Sequence, residues 1–154
     1  MKALVTGSAG QLGRELVSLL GRDVAWAGDL PDLDVTDAGA VARKVTEIRP
    51  DVVFNATAYN KVDQAETEPD VALAVNALAP RWLATAAREA GALVVHFSTD
   101  YVFDGRASRP YREDDGTGPL GAYGASKLAG ELLVASSGAE HLVIRTSGLV
   151  GRGG

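Results

Sequence analysis

Gly7-Ser8-Ala9-Gly10-Gln11-Leu12-Gly13 lies between a short apolar run, Ala3-Leu4-Val5-Thr6, and a segment, Gln11 to Leu20, whose Leu12, Leu16, Val17 and Leu20 recur at helical spacing. Three glycines spaced by three at a strand-to-helix junction have separate uses. One turns the backbone sharply with positive φ, one clears room for an approaching phosphate, and one lets the helix sit close on the strand. The first helical turn then offers unpaired N–H groups and a partial positive charge. The stretch therefore predicts a pyrophosphate-binding turn in the first βα unit of a dinucleotide-binding domain, with Gly7, Gly10 and Gly13 as candidate cofactor-binding residues.

Outward from this turn the chain alternates between two periodicities. Short apolar runs at Val24-Ala25-Trp26-Ala27, Asp51 to Asn55, Leu93 to Phe97 and Leu142 to Arg145 read as strands. Between them, helices are expected from Thr36-Asp37 to just before Pro50, from Val71 to Ala90 with a bend or restart at Pro80, and from about Tyr123 to Ala135. A loop rich in Gly, Pro, Asp and Arg fills Asp104 to about Leu120. Strand–helix repetition implies parallel strands joined by right-handed crossovers, and continuous rather than alternating apolar strands imply helices on both faces. The expected fold is α/β: a Rossmann-type doubly wound parallel sheet in three α/β/α layers. Residues 1–154 read as one NAD(P)-binding domain with no internal linker.

The totals narrow the function classes. With 46% apolar and 23% charged residues, the 154-residue chain is globular rather than disordered. A net charge of −5 argues against nucleic acid, which wants a basic face. No apolar run is long enough for a membrane span, and the N-terminus turns glycine-rich too early for a signal peptide. The absence of cysteine removes disulfides, thiolate metal sites and cysteine nucleophiles, and two histidines make no convincing metal cluster. A cytoplasmic protein without a bound metal is expected.

Asp29 ends the second strand, where a carboxylate can take ribose hydroxyls. Arg14, after the last glycine, would instead welcome a 2′-phosphate, so both NADH and NADPH stay open as cofactors. Tyr123 and Lys127, four apart on a helix, share one face. An ammonium beside a phenol is expected to lower its pKa and ready it for proton exchange. Such a pair arises readily by chance, but here Ser98-Thr99-Asp100 also stands at the carboxyl end of a strand, where open α/β sheets place their sites. His96, inside an apolar strand, reads as a hydrogen-bonded core residue.

Gly7 to Gly13, Ser98-Thr99-Asp100-Tyr101-Val102-Phe103-Asp104-Gly105 and Tyr123-Gly124-Ala125-Ser126-Lys127-Leu128-Ala129-Gly130-Glu131 together resemble an extended short-chain dehydrogenase/reductase of the dTDP-4-dehydrorhamnose reductase family. Asn55 to Tyr59, Val62 to Glu66 and Arg145-Thr146-Ser147 resemble it too. The resemblance implies hydride transfer from NADPH or NADH to the C4 keto group of a dTDP-linked 6-deoxy sugar. It implies Tyr123 as proton donor, Lys127 as holder of the nicotinamide ribose, and Thr99 with Asp100 at the substrate's keto oxygen. It further implies that Gly10, Gln11 and Leu12 touch the pyrophosphate, that Asp29, Asp34 and Val35 line the adenosine side, and that Ala58, Tyr59 and Asn60 run along the cofactor.

Two departures stand out. Family members often carry Trp after Arg-Thr-Ser, where this chain has Gly148, and the family's C-terminal substrate region is expected to be absent or truncated here. The nucleotide sugar is the expected small-molecule partner, and a homodimer fits the resemblance. Two rival functions share the motifs: epimerisation or dehydration of another nucleotide sugar, and a non-catalytic regulatory subunit of the reductase-like type.

Overall fold

In the computed structural model, residues 1–151 are described. Arg152-Gly153-Gly154, read from sequence as part of a trailing glycine-rich loop, lie outside the described residues. The strands are β1 (Ala3–Thr6), β2 (Val24–Gly28), β3 (Val52–Asn55), β4 (Leu93–Thr99) and β5 (His141–Thr146). The helices are α1 (Gln11–Leu20), α2 (Ala38–Ile48), α3 (Val62–Ala65), α4 (Pro69–Leu73), α5 (Ala79–Ala90) and α6 (Ala122–Ala135). All strand pairs are parallel, in the order β2-β1-β3-β4-β5. The doubly wound expectation is met.

The chain steps one way from β1 to β2 and the other way at every later crossover. Right-handed connections then put α1 on one face and α2, α5 and α6 on the other. The direction reverses between β1 and β3, and this switch point opens a crevice at the carboxyl ends of the strands.

The main core lies on the α2/α5/α6 side, where Leu4, Val53 and Val94 of the sheet meet Val41 and Val45 of α2, Leu83 of α5 and Val134 of α6. Ala84 and Ala87 keep α5 thin, so that the helix layer can approach the sheet closely. On the α1 side, the strands beyond β1 are less covered among the described residues: Val52, Phe54, Phe97 and Ile144 are only half-buried.

Local chemistry sets the helix ends. Asp37 caps α2, its Oδ1 accepting from the amides of Gly39 (2.8 Å) and Ala40 (3.0 Å). Arg49 ends α2 in the left-handed region at φ 48°, immediately before Pro50, and Gly91 ends α5 at φ 70°. The expected disturbance near Pro80 takes a definite form. Proline has no N–H to give to the carbonyl four residues back, that of Asn76. The chain widens into a π turn, Ala74–Leu78, in which the amide of Ala79 bonds the carbonyl of Ala74, and α5 runs on from there.

Candidate active site

A cleft of about 470 Å³ opens at the carboxyl ends of the strands. That volume lies within the range of small-molecule sites. The turn after β1 forms one wall with Gly7, Gly10, Gln11 and Leu12, and Asp29 stands at the end of β2. Asn55 ends β3, and residues 56–58, Asn60 and Val62 follow it. Residues 97–101 come from the end of β4 and the turn after it, Tyr123 and Lys127 from α6, and residues 146–149 from the end of β5 and beyond.

The glycine turn is built as its spacing implies. Gly7 has φ +72°, and a Cβ there would stand 2.6 Å from the backbone of Ala56 and Thr57. Only glycine lets the β1 and β3 loops come so close. A Cβ on Gly13 would collide with the carbonyl of Gly7, so this residue seats α1 on the turn. A Cβ on Gly10 would meet only the Gly7 carbonyl, at 3.3 Å, which leaves its other side open to the cleft. α1 has no side-chain cap, and its first internal bond runs from Arg14 N to Gly10 O. The amides of Gln11, Leu12 and Gly13 therefore precede any intrahelical partner, as an anion at a helix N-terminus requires.

The α6 side supplies the acid–base groups. Lys127 is 2% exposed, and its Nζ donates to the carbonyl of Phe97 at 2.6 Å. Burial pushes its pKa down to about 8, partly opposed by the Glu131 carboxylate. Tyr123 stands edge-on to Tyr101, with ring centroids 5.6 Å apart. Its pKa is raised above the usual value chiefly by burial, with the Asp100 carboxylate and Tyr101 adding to the rise and a hydrogen bond from Thr99 opposing it. The sequence-based expectation of a phenol lowered by Lys127 is thus not met here: burial outweighs the Thr99 hydrogen bond that opposes it, and the ammonium is engaged by the Phe97 carbonyl. Thr99 is fixed at its own end: its Oγ1 accepts from the amide of Tyr101 and lies 3.2 Å from Asp100 Oδ1, so its one hydrogen goes either to that carboxylate or to the Tyr123 phenol oxygen. Glu66 reaches 56 residues along the chain, and its Oε1 accepts from the amide of Ala122 at 2.7 Å, capping the first turn of α6.

Behind the cleft a buried polar ladder crosses three strands. Thr6 Oγ1 donates to Asn55 Oδ1 at 3.0 Å, and Asn55 Nδ2 donates to His96 Nδ1 at 3.1 Å. Burial, with the nearby Lys127 charge, drives the His96 pKa down to about 3. The imidazole stays neutral, and its role as a core residue agrees with the sequence reading.

Eleven of the sequence-predicted residues come together in the cleft: Gly7, Gly10, Gln11, Leu12, Asp29, Ala58, Asn60, Thr99, Asp100, Tyr123 and Lys127. Four do not line it. Gly13 sits behind the turn. Val35 is buried in the core, Asp34 is exposed and accepts from the Thr36 amide (2.9 Å) and hydroxyl (2.7 Å), and the Tyr59 phenol donates to Glu68 at 2.7 Å. Asn55, Thr57, Val62, Tyr101, Thr146 and Leu149 line the cleft without having been given a role from sequence, although all but Leu149 lie in strings that carry the family resemblance. Except for Val62, which opens α3, each ends a strand or follows one within a few residues, which is the signal that could have found them. Among the described residues no group of three or more His, Asp or Glu is placed to hold a metal, and no helix is long and apolar enough to cross a membrane.

The buried amine gives a pH prediction. Below about pH 8 both folded and unfolded Lys127 are charged, and the folded state bears the desolvation cost; between about 8 and 10.5 the unfolded state binds more protons, so stability rises with pH. Lys127→Met should be more stable than the parent at pH 7, by at most about 3 kcal/mol, with the difference closing toward pH 10.5. Urea melts of both proteins at pH 7 and 10 check this. A variant that is less stable at both pH values by the same amount contradicts it.

The family model described as "RmlD substrate binding domain" matches residues 1–154. The dTDP-4-dehydrorhamnose reductase of Streptomyces griseus is 49% identical over 154 residues, covering 98% of this chain and 51% of the relative. Among solved structures, a dTDP-4-dehydrorhamnose reductase of Clostridium acetobutylicum superposes with a TM-score of 0.96 at 44% identity, covering 100% of this chain and 56% of that one. One from Bacillus anthracis, solved in complex with NADP, gives 0.95 at 40% identity with the same coverage. The chain spans about half the length of the curated relatives it matches.

Proposed function

The chain belongs to the RmlD substrate binding domain family, and on that premise we propose that residues 1–154 are the dinucleotide-binding and proton-transfer part of an NADPH- or NADH-dependent reductase acting on the C4 keto group of a dTDP-linked 6-deoxy sugar. The observation that carries this reading is the joining, in one cleft, of the glycine turn with Thr99, Tyr123 and Lys127. The names of the relatives support the substrate, and the NADP in the Bacillus anthracis structure supports the cofactor. The reaction is assigned to the cytoplasm.

The cleft's residues fit a dinucleotide. The space beside Gly10, which a side chain would fill, and the amides of the first turn of α1, which have no intrahelical partner, suit a pyrophosphate. On this reading Asp29 takes the adenosine ribose and Ala58 and Asn60 run along the cofactor, which their position in the lining of the cleft supports. A bound reduced nicotinamide supplies the hydride. The chain supplies the proton and the geometry. Tyr123, held protonated at neutral pH by burial, donates from its phenol oxygen to the forming alkoxide. Thr99 Oγ1, held by the Tyr101 amide, turns its one hydrogen from Asp100 to the keto oxygen and so orients it. Lys127 Nζ holds the ribose side and stabilises the phenolate left after transfer.

The test is cofactor oxidation. With dTDP-4-dehydrorhamnose present, the near-ultraviolet absorbance of NADPH or NADH should fall as the nicotinamide is oxidised. Dinucleotide retained without net oxidation would instead favour epimerase or dehydratase chemistry.

A further inference from the structure

Lys127 and Glu131 stand four residues apart on α6, and both are buried, at 2% and 6% exposed. On a helix that spacing brings an ammonium and a carboxylate within reach of each other. Each is engaged elsewhere instead. Lys127 Nζ donates to the Phe97 carbonyl at 2.6 Å, and the residue lines the cleft. Glu131 accepts from Arg145, whose Nε reaches Oε1 at 3.0 Å and whose Nη2 reaches Oε2 at 2.7 Å. This two-pronged geometry is one that a guanidinium gives and an ammonium does not. Arg145 is itself held in place. It lies on β5 in register with Ser98 of β4, its guanidinium stands 5.0 Å from the centroid of the Phe103 ring, and its Nη1 donates to the Glu113 carbonyl at 3.3 Å.

We propose that Arg145 is a positioning residue that holds the Glu131 carboxylate away from Lys127, so that the ammonium stays turned to the Phe97 carbonyl and the cleft. The part that Lys127 then plays toward a ribose rests on the cofactor reading above.

A carboxylate buried as deeply as Glu131 is costly to leave unpaired. Without Arg145, the cation within its reach is Lys127, one helical turn back. The two already feel each other. Burial brings the Lys127 pKa down to about 8, and Glu131 is the charge that opposes the fall. Of the other titratable groups on this side of the cleft, His96 on β4 stays neutral, Tyr123 keeps its proton, and Asp100 acts on Tyr123. Arg145 thus decides which way the carboxylate faces.

A salt bridge that only fastened β5 to α6 would make the same bonds. Its loss would lower stability and leave Lys127 as it was. If Arg145 holds Glu131 off Lys127, folded Arg145→Gln should bind NADH and NADPH about tenfold more weakly, the factor a charge-assisted hydrogen bond carries. Adding Glu131→Gln removes the competing carboxylate, and affinity should return to within about threefold of the parent. Lys127 reports the same change without a ligand. Its pH titration, followed by the NMR resonance of its Cε methylene and centred at about 8 in the parent, should move up by about 1 or more in Arg145→Gln and come back down in the double variant. Arg145→Lys keeps a cation without the fork and should move both readouts the same way by less. If Arg145→Gln does not fold, Arg145→Lys carries the test.

An unchanged Lys127 titration with full affinity in folded Arg145→Gln would overturn the proposal, as would losses that Glu131→Gln does not reverse. A wild-type chain that binds neither nucleotide overturns the cofactor reading instead, and the titration of Lys127 still decides the role of Arg145.

Discussion

Tyr123→Phe is expected to slow reduction of a dTDP-linked 4-keto sugar by about 10²- to 10⁴-fold, the usual range for a lost general acid. The substitution keeps the ring, its edge-on contact with Tyr101 and most of its burial. What disappears is one hydroxyl and its bond to Thr99, a stability cost of about 1 kcal/mol. NADPH affinity should therefore change by about fivefold or less, the factor that about 1 kcal/mol carries. The pH dependence has a definite sign. Burial and the Asp100 carboxylate raise the phenol above its usual pKa, so the proton is present at neutral pH and reduction should fade on the alkaline side as it is lost. Steady-state cofactor oxidation with parallel binding titrations checks both parts. Equal rates for the two proteins would remove Tyr123 from the chemistry, and a large loss of NADPH affinity would make it a binding residue instead.

Gly13→Val should weaken NADPH binding by about 100-fold or more and destabilise the fold by about 3 kcal/mol, as overpacking at a tight contact does. The cause is local: a Cβ at Gly13 runs into the carbonyl of Gly7, and relief requires α1 to move off the turn. That movement carries away the first turn of α1, whose Gln11 and Leu12 line the cleft. Gly116→Ala is the control. It has ordinary φ and nothing within 4 Å of an added Cβ, so its effect should stay within about 0.5 kcal/mol. Chemical denaturation and fluorescence titration of the three proteins read both effects. Full affinity in Gly13→Val would mean that the turn does not hold the phosphates.

These two positions were legible in the sequence because their chemistry is local. Gly7 and Gly13 are demanded by a backbone that turns and a helix that sits close, and spacing along the chain reports both. Tyr123 and Lys127 are legible for the same reason, since four residues on a helix fix a shared face. Asp34, Val35 and Tyr59 show the limit of that logic. Each stands near the carboxyl end of a strand, but side-chain direction there is set by neighbours distant in sequence. Val35 turns into the core, Asp34 bonds to Thr36, and the Tyr59 phenol goes to Glu68, where partial burial and then the carboxylate push its pKa up to about 12. The direction of the Tyr123 shift was illegible on the same grounds. It depends on burial and on the Phe97 carbonyl that engages Lys127, 30 residues back. Pro80 announced a disturbance in its helix, but nothing in the pattern told that the break would be a π turn. The short helices α3 and α4 span 4 and 5 residues, too few for a periodicity to register.

The central claim is that the cleft at the β1/β3 switch point binds a nicotinamide dinucleotide through the turn at Gly7 to Gly13. Titration of the wild-type chain and Gly13→Val with NADPH and NADH, followed by fluorescence, tests it directly. The account predicts saturable binding of at least one nucleotide at one site per chain, lost in Gly13→Val and kept in Gly116→Ala. Binding of neither nucleotide by the folded wild-type chain, or equal binding by Gly13→Val, would contradict it.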